Sequence, residues 1–201
     1  RLNRQVEEYL MAGSFKEAIE LGTEANAYAK KNCDVTSRER RTALMNLAKG
    51  YFLNRNFQQA KVLFEELFDD LIKDTEQDQE LMSSVHHSLG LLSLELGDFV
   101  NAEHYFRKVI AYYEKNQLFH YPFYGQALGN MAEVYRERGD YSMAFPFYIR
   151  AMQTMKKTLG RQHPEYARSL NNFGLLCLQS GHYKKAKLAL ERALRIYRKT
   201  L

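Results

Sequence analysis

The side chains with the richest chemistry are six histidines, two cysteines and several paired acids, and their spacing gives them little to do together. His86 and His87 are neighbours, so on a helix they face different sides; His86 falls on the packing stripe and His87 beside it. His104, His120, His163 and His182 stand alone. Cys33 and Cys177 are far apart and have no metal-ligand spacing, which predicts two reduced thiols and no metal centre. Glu65–Glu66 and Asp69–Asp70 lie on a helical pattern and are expected to face solvent, with no pocket to tune them for acid–base work. Phosphate-binding glycine loops, a nucleophile-elbow motif and a His-Glu-x-x-His zinc helix are all absent. The expectation is a non-enzyme, with no catalytic residues and no cofactor.

Charge is the next candidate. The net charge is +5, but the segment 181–201 holds seven lysines and arginines against Glu191 alone, a net of +6, which leaves −1 for the rest. Lys184, Lys187, Arg195 and Arg198 share a stripe at helical spacing. Such a stripe is a solvated face or a patch for an acidic partner. Nucleic acid is disfavoured, because the basicity is confined to one helix without a DNA- or RNA-binding motif.

Positioning comes from a repeat. Phe15, Phe57, Phe99, Tyr141 and Tyr183 are spaced by 42 residues throughout, and each is followed three positions later by Ala18, Ala60, Ala102, Ala144 or Ala186. Nine residues before each aromatic stands a compact residue: Val6, Ala48, Gly90, Ala132 or Gly174. From the second repeat on, Leu47, Leu89, Met131 and Phe173 precede these, and Phe64, Phe106, Tyr148 and Leu190 follow the aromatics by seven. Leu44, Leu47, Ala48 and Tyr51 form one helical face, as do Leu128, Met131, Ala132 and Tyr135. A second helix is expected to begin at each aromatic, with Asp98 and Asp140 as N-caps and a preceding glycine ending the first helix in four repeats of five. Pro122 and Pro164 suit the starts of first helices. Pro146 falls inside a second helix and is expected to kink it.

Each unit is thus an αα-hairpin that cannot bury its apolar stripe alone. The fold class expected is all-α, a right-handed superhelical solenoid of stacked antiparallel helix pairs. It forms a single array over 1–201, divided near 1–32, 33–76, 77–118, 119–160 and 161–201. The chain starts without Met and ends without a polar capping helix, which predicts a piece of a longer protein or an end that packs on something else. No apolar run reaches the roughly 18–20 residues of a membrane span, and no signal-type segment follows Arg1. With the unpaired cysteines, this favours a cytoplasmic location.

The Gly-Asp/His-aromatic-x-x-Ala junction and the earlier Leu-small-x-x-Tyr stripe resemble the tetratricopeptide repeat family. Most such repeats are shorter, at about 34 residues. The 42-residue period is similar to the subgroup typified by kinesin light chains, and Gly160-Arg161-Gln162-His163-Pro164 through Leu170-Asn171-Asn172-Phe173-Gly174 is the best local match. Repeat one departs from the pattern at Gln5 and Gly22. The resemblance implies a protein-binding scaffold or adaptor that takes a linear peptide or helix in a groove lined by first helices. The groove positions it implies are Asn46, Lys49, Leu53, Ser84, His87, Ser88, Leu91, Gln126, Asn130, Glu133, Glu137, Arg168, Asn172, Leu175 and Gln179. Asn46, Asn130 and Asn172 share one frame position, where an amide can pair with peptide backbone or can bridge neighbouring helices. The basic carboxylate clamp of chaperone-binding members is not expected, since Asn3 and Glu7 occupy its first positions. The alternative is a peptide-sensing regulatory domain that controls an attached effector or DNA-binding domain, which flanking sequence would reveal.

Overall fold

A computed structural model describes residues 2–74 and 78–200. Among these the chain forms ten helices and no strand: α1 (Leu2–Ala12), α2 (Phe15–Asn32), α3 (Arg38–Leu53), α4 (Phe57–Ile72), α5 (Gln79–Glu95), α6 (Phe99–Lys115), α7 (Pro122–Glu137), α8 (Tyr141–Leu159), α9 (Pro164–Gln179) and α10 (Tyr183–Thr200). Each second helix starts on the repeated aromatic.

One backbone device makes every tight turn. The residue before the cap adopts positive φ: Gly13 (77°), Arg55 (60°), Gly97 (73°), Gly139 (80°) and Gly181 (79°). The next N–H then reaches back five residues to a carbonyl: Ser14 to Tyr9 (3.0 Å), Asn56 to Tyr51 (2.8 Å), Asp98 to Ser93 (2.8 Å), Asp140 to Tyr135 (2.8 Å) and His182 to Cys177 (2.7 Å). This is the Schellman closure, which satisfies carbonyls the ending helix would leave open. Arg55 shows that the turn geometry is demanded even where glycine is missing.

The caps differ from expectation in one place. Asp98 accepts from the Asn101 N–H at 3.1 Å, as an N-cap should. Asp140 makes no side-chain cap bond; its carboxylate turns to Arg138 Nε at 3.2 Å, an opposite charge that competes with the first-turn amides. His163 proves to be a cap, its Nδ1 accepting from the Glu165 N–H at 3.1 Å just ahead of Pro164. Helix α8 runs through Pro146 from Tyr141 to Leu159. Pro146 and Ser142 are both exposed, so the carbonyl that loses its partner faces water rather than the core.

The chain divides into two compact units, Arg1–Leu92 and Ser93–Leu201, with the boundary inside α5. In the first, α2 packs on α1 and α3, and α3 packs on α4 and touches α1. In the second, α6, α7, α8, α9 and α10 each pack on the next, and α7 also touches α9. The frame alanines Ala18, Ala60, Ala102, Ala144 and Ala186 are at most 2% exposed, and Val6, Ala48, Gly90, Ala132 and Gly174 are buried with them. Gly174 shows why these positions are small: a Cβ there would sit 2.7 Å from Leu190 Cγ. In the second unit Met155, Tyr166, Ala167, Leu170, Ala193 and Ile196 form one cluster flanked by Met152, Leu159 and Tyr197.

Candidate functional site

In the first unit the frame asparagine is a structural tie. Asn46 is buried, and its Nδ2 donates to Glu7 Oε1 at 3.1 Å and to the Asn3 carbonyl at 3.5 Å, joining α3 to α1. Beside it Lys49 is exposed at its surface. Crowding by the surrounding walls displaces water from its ammonium and lowers its pKa, while the Glu7 charge opposes this. His87 is buried, and His86 lies against Phe68 with ring centroids 5.5 Å apart. Ser84 and Ser88 turn back to the carbonyls of Glu80 and Ser84. Leu91 is half-buried and Leu53 exposed.

In the second unit the expected positions converge. Gln126 and Asn130 of α7 and Arg168 and Asn172 of α9 line one small cleft of about 70 Å³, with Tyr148 of α8 in its wall. Glu165 organises its rim, accepting from Gln126 Nε2 at 3.2 Å and from Arg168 Nη2 at 2.5 Å. Leu175, one turn on, is exposed.

Glu133, Glu137 and Gln179 are gathered by Arg136. Its Nε donates to Glu133 at 3.1 Å and its Nη1 to Gln179 Oε1 at 2.9 Å; Nη2 reaches both Glu133 and Glu137. The buried Tyr148 hydroxyl also donates to Glu133. A second Tyr–Glu–Arg set joins α6 and α7: Tyr135 donates to Glu103 at 2.9 Å, and Arg107 and Arg138 pair with the same carboxylate. A third joins Tyr124, Glu114 and Arg150. Sequence reasoning missed Arg136, Glu165 and these tyrosine partners. Arg136 carried a signal, three residues after Glu133, where helical neighbours meet.

The first two sets make stability pH-dependent through Glu133 and Glu103. Burial pushes the carboxyl of Glu133 up, but the Arg136 and Tyr148 hydrogen bonds and the Arg136 charge outweigh it, leaving the pKa below 4.5. Glu103 is lowered by the same balance, with Tyr135, Arg107 and Arg138 opposing burial. A depressed folded pKa stabilises the fold above the ordinary value and loses that contribution as pH falls through the folded one. Urea unfolding is therefore expected to show stability declining below about pH 4.5, and Glu133→Gln with Glu103→Gln to give a less stable protein with a shallower decline. An unchanged slope in the double variant would show that neither carboxylate contributes.

On α10, Lys184, Lys187, Arg195 and Arg198 are all exposed, and Lys187 lies 3.9 Å from Glu191. Arg195 lines a groove of about 700 Å³ facing α8, whose wall does not include the other three. Among the described residues, no group of three His, Cys, Asp or Glu side chains is placed to hold a metal. No described helix is long and apolar enough to cross a membrane.

Stacked helix hairpins with one repeated turn define a class of helical-repeat proteins. Family models described as tetratricopeptide repeat match residues 83–116 and 123–199, together more than half of the chain. The chain belongs to the tetratricopeptide repeat family. Its fold is similar to that of a kinesin-light-chain-type protein of Podosopora anserina with nearly identical TPR-like repeats (TM-score 0.78, 22% identity, 99% of this chain and 94% of that one). It is also similar to aspartyl phosphate phosphatase F from Bacillus subtilis (TM-score 0.80, 15% identity, 98% and 49%). A Rap protein complexed with competence and sporulation factor matches at TM-score 0.71 and 15% identity, over 98% and 63%. A search of curated proteins found no match by sequence.

Proposed function

We propose that this chain is a protein-interaction scaffold, and that the α7–α9 face of its second unit holds a linear or helical segment of a partner protein. The observation behind this reading is the convergence of Gln126, Asn130, Arg168 and Asn172 on one cleft beside exposed Leu175. Amides offer both donor and acceptor to a peptide backbone, Leu175 offers an apolar contact, and the Arg168–Glu165 pair gives the rim its polar character. Affinity comes from several modest contacts on a preformed surface. In the first unit Lys49 and Leu91 belong to the corresponding stripe, with Asn46 serving the helix packing and His87 withdrawn from the surface by burial. Glu133 and Gln179 act by setting Arg136 rather than by touching the guest. The basic residues of α10 supply a separate surface for an acidic partner.

The test is affinity capture of partners by the wild-type chain beside Asn130→Ala with Asn172→Ala. Two lost amide contacts at about 1 kcal/mol each predict roughly a thirty-fold drop in affinity, with helicity unchanged by circular dichroism. Capture undiminished by the double variant would remove the face from consideration. A regulatory reading, in which a bound peptide controls an attached effector, shares this face. It is favoured by the likeness to the Rap protein complexed with competence and sporulation factor. A DNA-binding or effector domain in flanking sequence separates the two.

A further inference from the structure

The groove on the α8 side of α10 combines two properties found together at no other described cleft of the second unit. One wall is α10; the other is Met152 of α8 with the α8–α9 turn, and Leu170 and Phe173 of α9 lie between them. The lining is apolar at its base, and Leu188 stands 69% exposed in its wall. Around this apolar strip are four exposed cations, Arg161, Lys185, Arg192 and Arg195, against Glu191 alone.

The state of those cations matters more than their number. Elsewhere in the second unit Arg107, Arg136, Arg138, Arg150 and Arg168 are each held by a carboxylate. The four at the groove make no ion pair among the described residues; Glu191 is engaged by Lys187. Arg192 is instead laid over the Tyr166 ring, 5.4 Å from its centroid, which fixes its position and leaves its charge uncompensated. A concave apolar strip rimmed by oriented, unneutralised cations is complementary to an apolar side chain flanked by carboxylates.

Resting on the scaffold reading above, we propose that this groove docks an acidic peptide segment, seating a large apolar side chain against Met152, Phe173 and Leu188 while its carboxylates pair with Arg161, Lys185, Arg192 and Arg195. The site lies between the second helices α8 and α10, over part of α9, and shares no lining residue with the α7–α9 cleft. Nucleic acid fits it less well, because Tyr166 is covered by Arg192 and the one ring in the lining, Phe173, is half-buried at the apolar base.

The test is fluorescence anisotropy with the full 201-residue chain and a labelled peptide of about twelve residues built from Glu and Leu, sized to cross a groove of this kind. Binding is expected at low salt and to weaken as salt rises. Lys185→Glu with Arg195→Glu should weaken it ten-fold or more. Leu188→Ser should weaken it several-fold, and an equally charged Glu/Ser peptide should bind at least ten-fold less tightly. All three substituted positions are exposed, so melting should not move; if the double variant melts early, Arg161→Glu in the turn carries the same expectation at about three-fold. Asn130→Ala with Asn172→Ala should leave this peptide's affinity unchanged, so failure here is distinguishable from failure of the α7–α9 face. The proposal is overturned by no binding, by charge reversal without effect, or by equal affinity for the Glu/Ser peptide. Tighter binding of a single-stranded oligonucleotide or of anionic vesicles than of the Glu/Leu peptide overturns it as well.

Discussion

Asp74→Ala is expected to lower the unfolding free energy by about 3–5 kcal/mol. Arg41 Nη2 lies 2.6 Å from Asp74 Oδ2, with only 7% and 11% of the two side chains exposed. Taking both charges out of water is expensive, and their mutual attraction helps to offset it. Removing the carboxylate strands a guanidinium in the first unit, whose Nε is already buried without a hydrogen-bond partner among the described residues. The control is the pair replaced together, Arg41→Met with Asp74→Leu, which should restore most of the loss, because neither charge then remains. Urea unfolding followed by circular dichroism measures both. A small loss in Asp74→Ala would mean that water reaches Arg41 freely.

Phe64→Ala and Phe106→Ala should each cost about 3–5 kcal/mol, whereas Leu190→Ala at the same frame position should cost about 1–2 kcal/mol. Phe64 and Phe106 are at most 1% exposed. Both rings are fully enclosed, and alanine leaves a cavity that close-packed helices cannot collapse. Leu190 is only half-buried, so less apolar surface returns to water and the site can relax. Thermal or urea unfolding of the three variants ranks them directly. Equal losses would contradict the burial pattern.

The helix boundaries were legible because one aromatic-x-x-Ala pair, repeated without a slip, marks each second helix. The buried faces followed from periodicity around it. What stayed hidden depends on neighbours distant in sequence. Asp140 reads like Asp98, yet Arg138 draws its carboxylate away from the cap. Asn46 reads like Asn130 and Asn172, yet Glu7 on α1 turns it into a tie between helices. The Arg41–Asp74 pair left one trace that the frame could have exposed. Arg41 stands where the other repeats place Ser83, Gly125 and Ala167, all buried, so a charge there needed a partner. Of the groove positions the resemblance implies, Gln126, Asn130, Arg168 and Asn172 line the cleft, and only side-chain geometry separates them from Glu133 and Gln179, which Arg136 holds.

The Schellman turns bear on how the chain can be edited; besides the five inside the hairpins, Gln117 at positive φ and the Leu118 N–H bond to the Tyr113 carbonyl (2.8 Å) close α6 in the same way. Second helices differ in length, with 18, 16, 17 and 19 residues in α2, α4, α6 and α8, and the connections after them take up the difference, so the 42-residue spacing survives. The slack of each repeat is therefore stored where one hairpin hands over to the next. An epitope or reporter spliced after α8 meets a connection without this closure, whereas even one residue spliced into 96–98, 116–118 or 138–140 throws out of register the five-residue reach that closes the turn.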